Sequence, residues 1–378
     1  MPVGKHIQVV VVDDSAFMRK SLTLMLESDP AIKVVATAHD GEDGIKKITQ
    51  FHPDLVTLDV EMPGMDGLAA LKTIMKQCPV PVLMVSSLTT EGAEATFEAL
   101  QLGAVDFISK DLSFVSVDIV KIKDDLIAKV KEIAYSRYLN HRFRLLQAKT
   151  PLAPKPSTGI APARILSIRP PVDRPEAIVL GISTGGPLAL LEMIPRLPAD
   201  LALGMAIVQH MPPHFTRTMS ERLNSISHVQ VKEAEQDEPI ERGKILIAPG
   251  GKHLTFVRRH GSLHAVVSEE PRTTIFRPSV DVMMLSAAEA AQGPLLGVIM
   301  TGMGKDGLEG LKAIKKKGGY IIAQDEESCV VYGMPKVAVE EGIVDSVLSL
   351  RQIPDALVSV ASGRKATLRQ PASVETDR

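Results

Sequence analysis

Short apolar runs separated by helical patterns recur along most of the chain. In the first 125 residues, positions 9–12, 33–37, 55–58, 82–86 and 106–109 read as five strands. Between them the apolar period becomes helical, as over 17–27 and 67–75. This alternation predicts βαβ units on a parallel sheet. A helix rich in Lys, Ile and Asp is expected over about 119–134.

The pattern then breaks. From Lys149 to Pro175 the sequence KTPLAPKPSTGIAPARILSIRPPVDRP is dense in proline and has no apolar period. It reads as a semi-extended linker. The short apolar piece 165–168 inside it is expected to be part of a solvated spacer. Alternation resumes at Ile178, with strand-like runs at 178–181, 205–209, 244–248, 295–300 and 320–323. Residues 254–257 and 263–268 look like a hairpin. The expected organisation is a first domain over 6–125, a helix extension and linker over 126–175, and a second, larger α/β domain over 176–362. The polar end, 363–378, is expected to be a disordered tail.

Two domains also suit a length of 378 residues. An apolar fraction of 45% and a charged fraction of 23% give each half enough to bury a core. A net charge of −2 with interspersed signs points to neither nucleic acid nor a membrane surface. Aromatics are only 3% and Trp is absent, which disfavours a base-stacking platform. Cys78 and Cys329 sit apart among apolar neighbours and read as reduced thiols, not a disulfide or zinc ligands. The first apolar run stops at Asp13-Asp14, too short for a secretory segment, and no run approaches the ~18 residues of a membrane span. A cytoplasmic protein is expected.

In open parallel sheets, function collects beyond the carboxyl ends of strands. In the first domain Asp13 and Asp14 follow the first strand, Asp59 the third and Lys110 the fifth, while Ser86 closes the fourth. Clustered carboxylates repel unless a cation lies among them, and oxygen ligands suit Mg²⁺. Each acid alone reads more readily as a helix cap or turn former. The ordered set VVDDS, LVTLDVEMPGMDG, MVSS and ISK, however, resembles the receiver domain of two-component response regulators. That resemblance implies a flavodoxin-like fold with Asp59 as phosphoacceptor and Asp13 and Asp14 shaping the metal site. It implies Mg²⁺ held by Asp14, Asp59 and the Glu61 carbonyl. Ser86 and Lys110 would contact the phosphoryl group, and Phe107 takes the aromatic switch position. One departure is Asp111, where receivers usually carry proline.

In the second domain the strand 178–181 runs into GISTGGP, residues 181–187, and then a helical pattern. Small residues around Ser183 let the chain turn sharply and expose the hydroxyl, and Pro187 suits a first helical turn. A glycine-rich anion cradle or a plain turn would look similar. Two further strand ends favour chemistry. Residues 205–209 deliver His210, placed to act as general base; His214 and His253 are rivals. Residues 295–300 lead into TGMGKDG, where Asp306 could orient an imidazole. Alternatively Asp306 caps the helix 308–317, and Asp281 and Asp325 are rival acids.

The order Ser, His, Asp departs from the Ser, Asp, His of α/β hydrolases. It resembles the CheB methylesterase family, together with QHMPPHFT, APGGKH, RPSVDVMM and YGMPKVAVEEG. The resemblance implies a Rossmann-like hydrolase domain of parallel sheet with a β-hairpin. It also implies hydrolysis of glutamyl methyl esters on chemoreceptors, with deamidation of receptor glutamines. Ser183 would be nucleophile, His210 acid/base and Asp306 its orienting acid, with backbone amides of Thr184 and Met303 as oxyanion hole. The hydrolase would need no cofactor. A chemotaxis histidine kinase would supply the phosphoryl group, whose transfer frees a site that the receiver obstructs. Other readings are a receiver-coupled hydrolase of a different protein ester or amide, a phosphorylation-dependent adaptor without catalysis, and a DNA-binding regulator. The last fails because no short basic helix-turn-helix follows the linker.

Overall fold

A computed structural model describes residues 6–87, 89–110, 118–147, 165–168, 174–363 and 366–369. The first domain runs β1 (Ile7–Val12), α1 (Ala16–Glu27), β2 (Ile32–Ala38), α2 (Gly41–Phe51), β3 (Leu55–Asp59), α3 (Gly67–Gln77), β4 (Val82–Ser86), α4 (Thr90–Leu102), β5 (Asp106–Ser109) and α5 (Asp118–Tyr135). Its sheet is parallel throughout, in the order β2-β1-β3-β4-β5. Residues of β3 and β4 are buried on both faces, which is why they read as unbroken apolar runs rather than as alternation. Helices begin where a polar side chain satisfies a free N–H: Ser15, Asp40, Asp66 and Thr89 each accept from the backbone two or three residues into the helix that follows.

After α6 (Arg137–Gln147) and β6 (Ile165–Ile168), the second domain comprises β7 (Ile178–Ile182), α7 (Gly186–Met193), β8 (Met205–Gln209), α8 (Phe215–Ile226), β9 (Gln230–Glu233), β10 (Lys244–Ile247), β11 (His253–Arg259), β12 (Ser262–Ser268), α9 (Val280–Ala290), β13 (Leu296–Ile299), α10 (Leu308–Lys316), β14 (Tyr320–Gln324), α11 (Met334–Glu340), β15 (Ser346–Leu348) and α12 (Ile353–Ala361). Seven parallel strands lie in the order β15-β14-β13-β7-β8-β10-β9, and β11 and β12 form the expected hairpin. Strand order reverses at β7, which is flanked by β8 and β13. The loops after these three strands therefore meet at the topological switch point.

Two expectations need correction. Residues 165–168 are not a bare spacer, because β6 pairs antiparallel with β16 (Ala366–Arg369). Part of the end expected to be disordered is accordingly a strand. Asp111 and its loop lie outside the described residues.

The two domains share a core. Apolar residues of α4 and β5 join those of α7 and α8 in one buried cluster. A second cluster joins Ile133, Leu139 and Phe143 of α5 and α6 to Val330 and Val331, with Met303 packed against it. Phe215, at the start of α8, is fully buried. Burying such a side chain is worth about 1.5–3 kcal/mol. Polar contacts at the edge include Arg222 to Gln101 at 3.0 Å.

Candidate active site

In the first domain, carboxylate oxygens of Asp13, Asp14 and Asp59 lie within 4.8 Å of one another. Asp13 and Asp59 are buried and Asp14 is exposed. Lys110 Nζ stands 3.3 Å from Asp13 Oδ2 and 2.5 Å from Asp59 Oδ2. Two buried anionic oxygens that have only the Lys110 ammonium beside them, next to a third, exposed carboxylate, are the hard oxygen donors that suit a divalent cation such as Mg²⁺. Burial pushes the Asp59 carboxyl up to about 6, against the pull of Lys110 and with a further push from Asp13. Burial also raises Asp13, with Lys110 opposing. Lys110 itself is raised, because Asp59 and Asp13 outweigh its own burial.

The remaining receiver candidates cluster around this site. The Glu61 N–H donates to Asp59 Oδ1 at 3.2 Å, so residue 61 is at the mouth of the pocket. Ser86 is fully buried, and its hydroxyl donates to the Gly92 carbonyl at 3.0 Å, inside the first turn of α4. Phe107 is buried at the boundary with the second domain. Its ring stacks on Phe215 of the second domain, with centroids 4.5 Å apart and planes 5° from parallel.

In the second domain, Ser183 sits on the turn between β7 and α7. Its N–H donates to Thr301 O at 2.9 Å, and its carbonyl accepts from Gly186 N at 2.7 Å and Gln209 Nε2 at 3.0 Å. Gly185 holds a left-handed φ of +75° to make the turn. A Cβ on Gly302 would come within 2.9 Å of Ser183 Cβ, so glycine is what lets the loop after β13 lie against the serine.

His210 bridges the set. Its Nδ1 is 3.1 Å from Ser183 Oγ and its Nε2 is 2.8 Å from Asp306 Oδ2. The ring is thus turned opposite to the serine-protease arrangement, in which Nε2 faces the serine. With Asp306 ionised, the proton belongs on Nε2 and Nδ1 is free to accept. The side chains of His210 and Asp306 are only 8% and 9% exposed, so their interaction is poorly screened.

Asp306 does not cap α10, whose N-cap is Gly307. It sits instead on the start of α9. Oδ1 accepts from Ser279 Oγ at 2.9 Å and Asp281 N at 3.0 Å, and Oδ2 accepts from Val280 N at 2.7 Å. Burial alone would raise this carboxyl. His210 and the backbone donors of Asp281 and Val280 outweigh burial and hold it below the usual carboxylate value.

The rival residues are engaged elsewhere. His214 is exposed and starts α8; His253 is buried against Ser279 and Pro271. Asp281 accepts from Gly310 N, and Asp325 from Ser328. The N–H groups of Thr184 and Met303 have no acceptor among the described residues. Sequence reasoning missed Phe276, whose ring stacks on His210 with centroids 4.2 Å apart and planes 11° from parallel. It also missed Ser279, which reads locally as an ordinary N-cap. Among the described residues, no helix is long and apolar enough to cross a membrane.

A family model described as the response regulator receiver domain matches residues 9–118, and one described as the CheB methylesterase matches 178–357. The protein-glutamate methylesterase/protein-glutamine glutaminase 1 of Oleidesulfovibrio alaskensis is 49% identical, over 93% of this chain and 99% of that one. A protein-glutamate methylesterase/protein-glutamine glutaminase of Pyrococcus horikoshii is 47% identical, over 95% of each chain. Among solved structures, the Thermotoga maritima CheB methylesterase catalytic domain is 41% identical, with a TM-score of 0.48, covering 50% of this chain and 100% of that one. Identity of this level across almost the whole of both chains means that this protein belongs to the CheB methylesterase family, with a response-regulator receiver domain preceding the hydrolase.

Proposed function

We propose that this chain hydrolyses glutamyl methyl esters and deamidates glutamines on chemoreceptors through Ser183, His210 and Asp306, under the control of phosphorylation at Asp59. The observation that carries the reading is His210, hydrogen-bonded to Ser183 on one side and to Asp306 on the other.

In this account His210 Nδ1 takes the Ser183 proton as Oγ attacks the ester carbonyl. The free N–H groups of Thr184 and Met303 face the oxyanion that forms. Collapse breaks the bond to the methoxy group, which leaves as methanol with the proton from His210; from glutamine the leaving group is ammonia. Water then gives its proton to His210 and attacks the acyl-serine, releasing a glutamate carboxylate and restoring the serine hydroxyl. Asp306 stays ionised and stabilises the transient imidazolium across 2.8 Å.

Asp13, Asp14, Asp59 and the Glu61 carbonyl are the groups to hold Mg²⁺, which when bound neutralises charge at the phosphoacceptor. Lys110 is positioned to pair with a phosphoryl group on Asp59, and a chemotaxis histidine kinase is the expected donor. In the resting arrangement, β5 and α4 pack on α8, and α5 and α6 pack on the loop carrying Met303. This contact limits access to Ser183, and phosphorylation loosens it. We assign the receiver to 6–135, since α5 packs on its sheet to the end, the extension and linker to 136–175 and the hydrolase to 176–362, in a cytoplasmic protein.

The test is methanol release from methylated receptor membranes by the wild type and by Ser183→Ala. The Ala variant is expected to be inactive with its fold intact, since glycines set the turn. Turnover by that variant at the wild-type rate would end the triad assignment.

A further inference from the structure

We propose that His253 and Ser279 are positioning residues for this reaction, holding Asp306, and through it His210, in register with Ser183; the inference rests on the triad reading above. Asp306 accepts four hydrogen bonds. One comes from His210, and the other three come from a single helix start: Ser279 Oγ and the N–H groups of Val280 and Asp281. Ser279 serves two ends at once. Its oxygen caps α9 by accepting from Val282 N at 3.3 Å, while its proton goes to Asp306. Where Asp306 stands is therefore set by where α9 begins.

That start is fixed by the glycine turn and strand end at 250–253. Gly251 N donates to the Arg277 carbonyl at 3.1 Å, and Ser279 N donates to His253 Nδ1 at 3.2 Å. His253 is fully buried. An Nδ1 that accepts carries no proton, so the proton lies on Nε2, which faces Pro271 O at 3.1 Å and Thr274 Oγ1 at 3.2 Å. Burial, helped by the Arg277 charge, favours the neutral ring against the opposing pull of the Pro271 carbonyl and of Asp306. The ring is thereby held in the one form that can receive the Ser279 N–H. The same short segment also carries Phe276, stacked on His210. Residues 276–279 therefore touch both His210 and Asp306, and His253 pins the segment that does so.

A histidine that merely fills the core would affect stability, and its loss would act independently of Asp306. A positioning residue acts through Asp306, so its effect disappears when Asp306 can no longer function. The experiment is a double-mutant cycle in the full-length protein, read as kcat and KM for methanol release from methylated receptor membranes. Thermal unfolding is followed in parallel. Ser279→Ala should lower kcat about 10- to 100-fold with KM nearly unchanged, and Ser279→Thr should recover most of the loss. Added to Asp306→Asn, Ser279→Ala should cost less than about twofold more. His253→Asn keeps an acceptor near the Nδ1 position and should retain activity, whereas His253→Gln places its amide at the Nε2 end and should lose it. Full multiplication of the two effects, or equal damage from the two His253 variants, would overturn the proposal. If the His253 variants fail to fold, the Ser279 cycle decides alone. An active Ser183→Ala control would instead show that the triad itself is misassigned.

Discussion

Phe107 of the receiver lies face to face on Phe215, the first residue of the helix that follows His210 by a four-residue loop. The ring at the receiver's switch position thus touches the element that leads directly from the proposed general base. In the proposed control, a change at Asp59 on β3 is passed through β4 to this ring on β5, and from the ring through α8 to the His210 loop. Under that proposal, this aromatic stack is one contact through which the phosphorylation site and the hydrolase are related.

Phe107→Ala should therefore raise the resting activity. An aromatic pair contributes about 0.5–1.5 kcal/mol beyond its burial, and 1.4 kcal/mol is a factor of ten in the docking equilibrium. A rise of roughly 3- to 10-fold is expected, with a fragment from Pro175 onward as the ceiling. Methanol release without phosphodonor is the measurement. An unchanged resting rate would remove this stack from the control mechanism.

The receiver acids give a pH signature of stability. The Asp59 carboxyl is held at about 6 in the fold against 3.8 in its absence, so the folded form binds that proton more tightly. The resulting stabilisation is complete below about pH 4 and is lost as pH rises through 6; above that, the ionised group costs on the order of 3 kcal/mol. Asp59→Asn should raise the unfolding temperature of the metal-free protein at pH 8 by several degrees, the Lys110 pairing being already counted in the shift, and should give little at pH 4. Thermal unfolding at the two values checks the sign, and an equal gain at both would contradict the assigned shift.

Labelling of the protein by a small phosphodonor should require Mg²⁺ and stop on chelation, because the clustered carboxylates otherwise repel the incoming anion. Asp59→Asn should take no label. Persistent labelling of that variant would locate the acceptor on another side chain.

His210→Gln should be nearly as damaging as Ser183→Ala, on the order of 10⁵–10⁶ in kcat by analogy with other triads. Asp306→Asn should be milder, on the order of 10⁴. An amide NH₂ facing His210 favours the tautomer with its proton on Nδ1, which then cannot accept from Ser183. The kcat of the three variants gives the ranking. Greater damage from Asp306→Asn than from His210→Gln would count against it.

Much of this was legible in the sequence because the groups concerned stand at the ends of apolar runs. Strands buried on both faces announce themselves, and the residue after each one is fixed by the run before it. That logic located Asp13, Asp59, Lys110, Ser183 and His210. It failed where no apolar run exists. The edge strand β9, with only Val231 buried, and the three-residue β15 carry no such signal. The pairing of β6 with β16 joins segments nearly 200 positions apart, each too short to predict a partner. Asp306 was ambiguous because its loop resembles a helix start, whereas the helix it serves, α9, begins 26 residues earlier. Ser279 and Phe276 act through contacts of the same long-range kind.

In the proposed function, phosphorylation at Asp59 is coupled to ester hydrolysis at Ser183 within one chain. The most direct measurement is methanol release from methylated receptor membranes by the full-length protein, with and without a phosphodonor and Mg²⁺, beside Asp59→Asn and Ser183→Ala. The account predicts stimulation of the wild type, a low and unresponsive rate for Asp59→Asn, and no release by Ser183→Ala under either condition. Equal rates for the wild type with and without phosphodonor, matching those of the fragment from Pro175, would contradict the coupling.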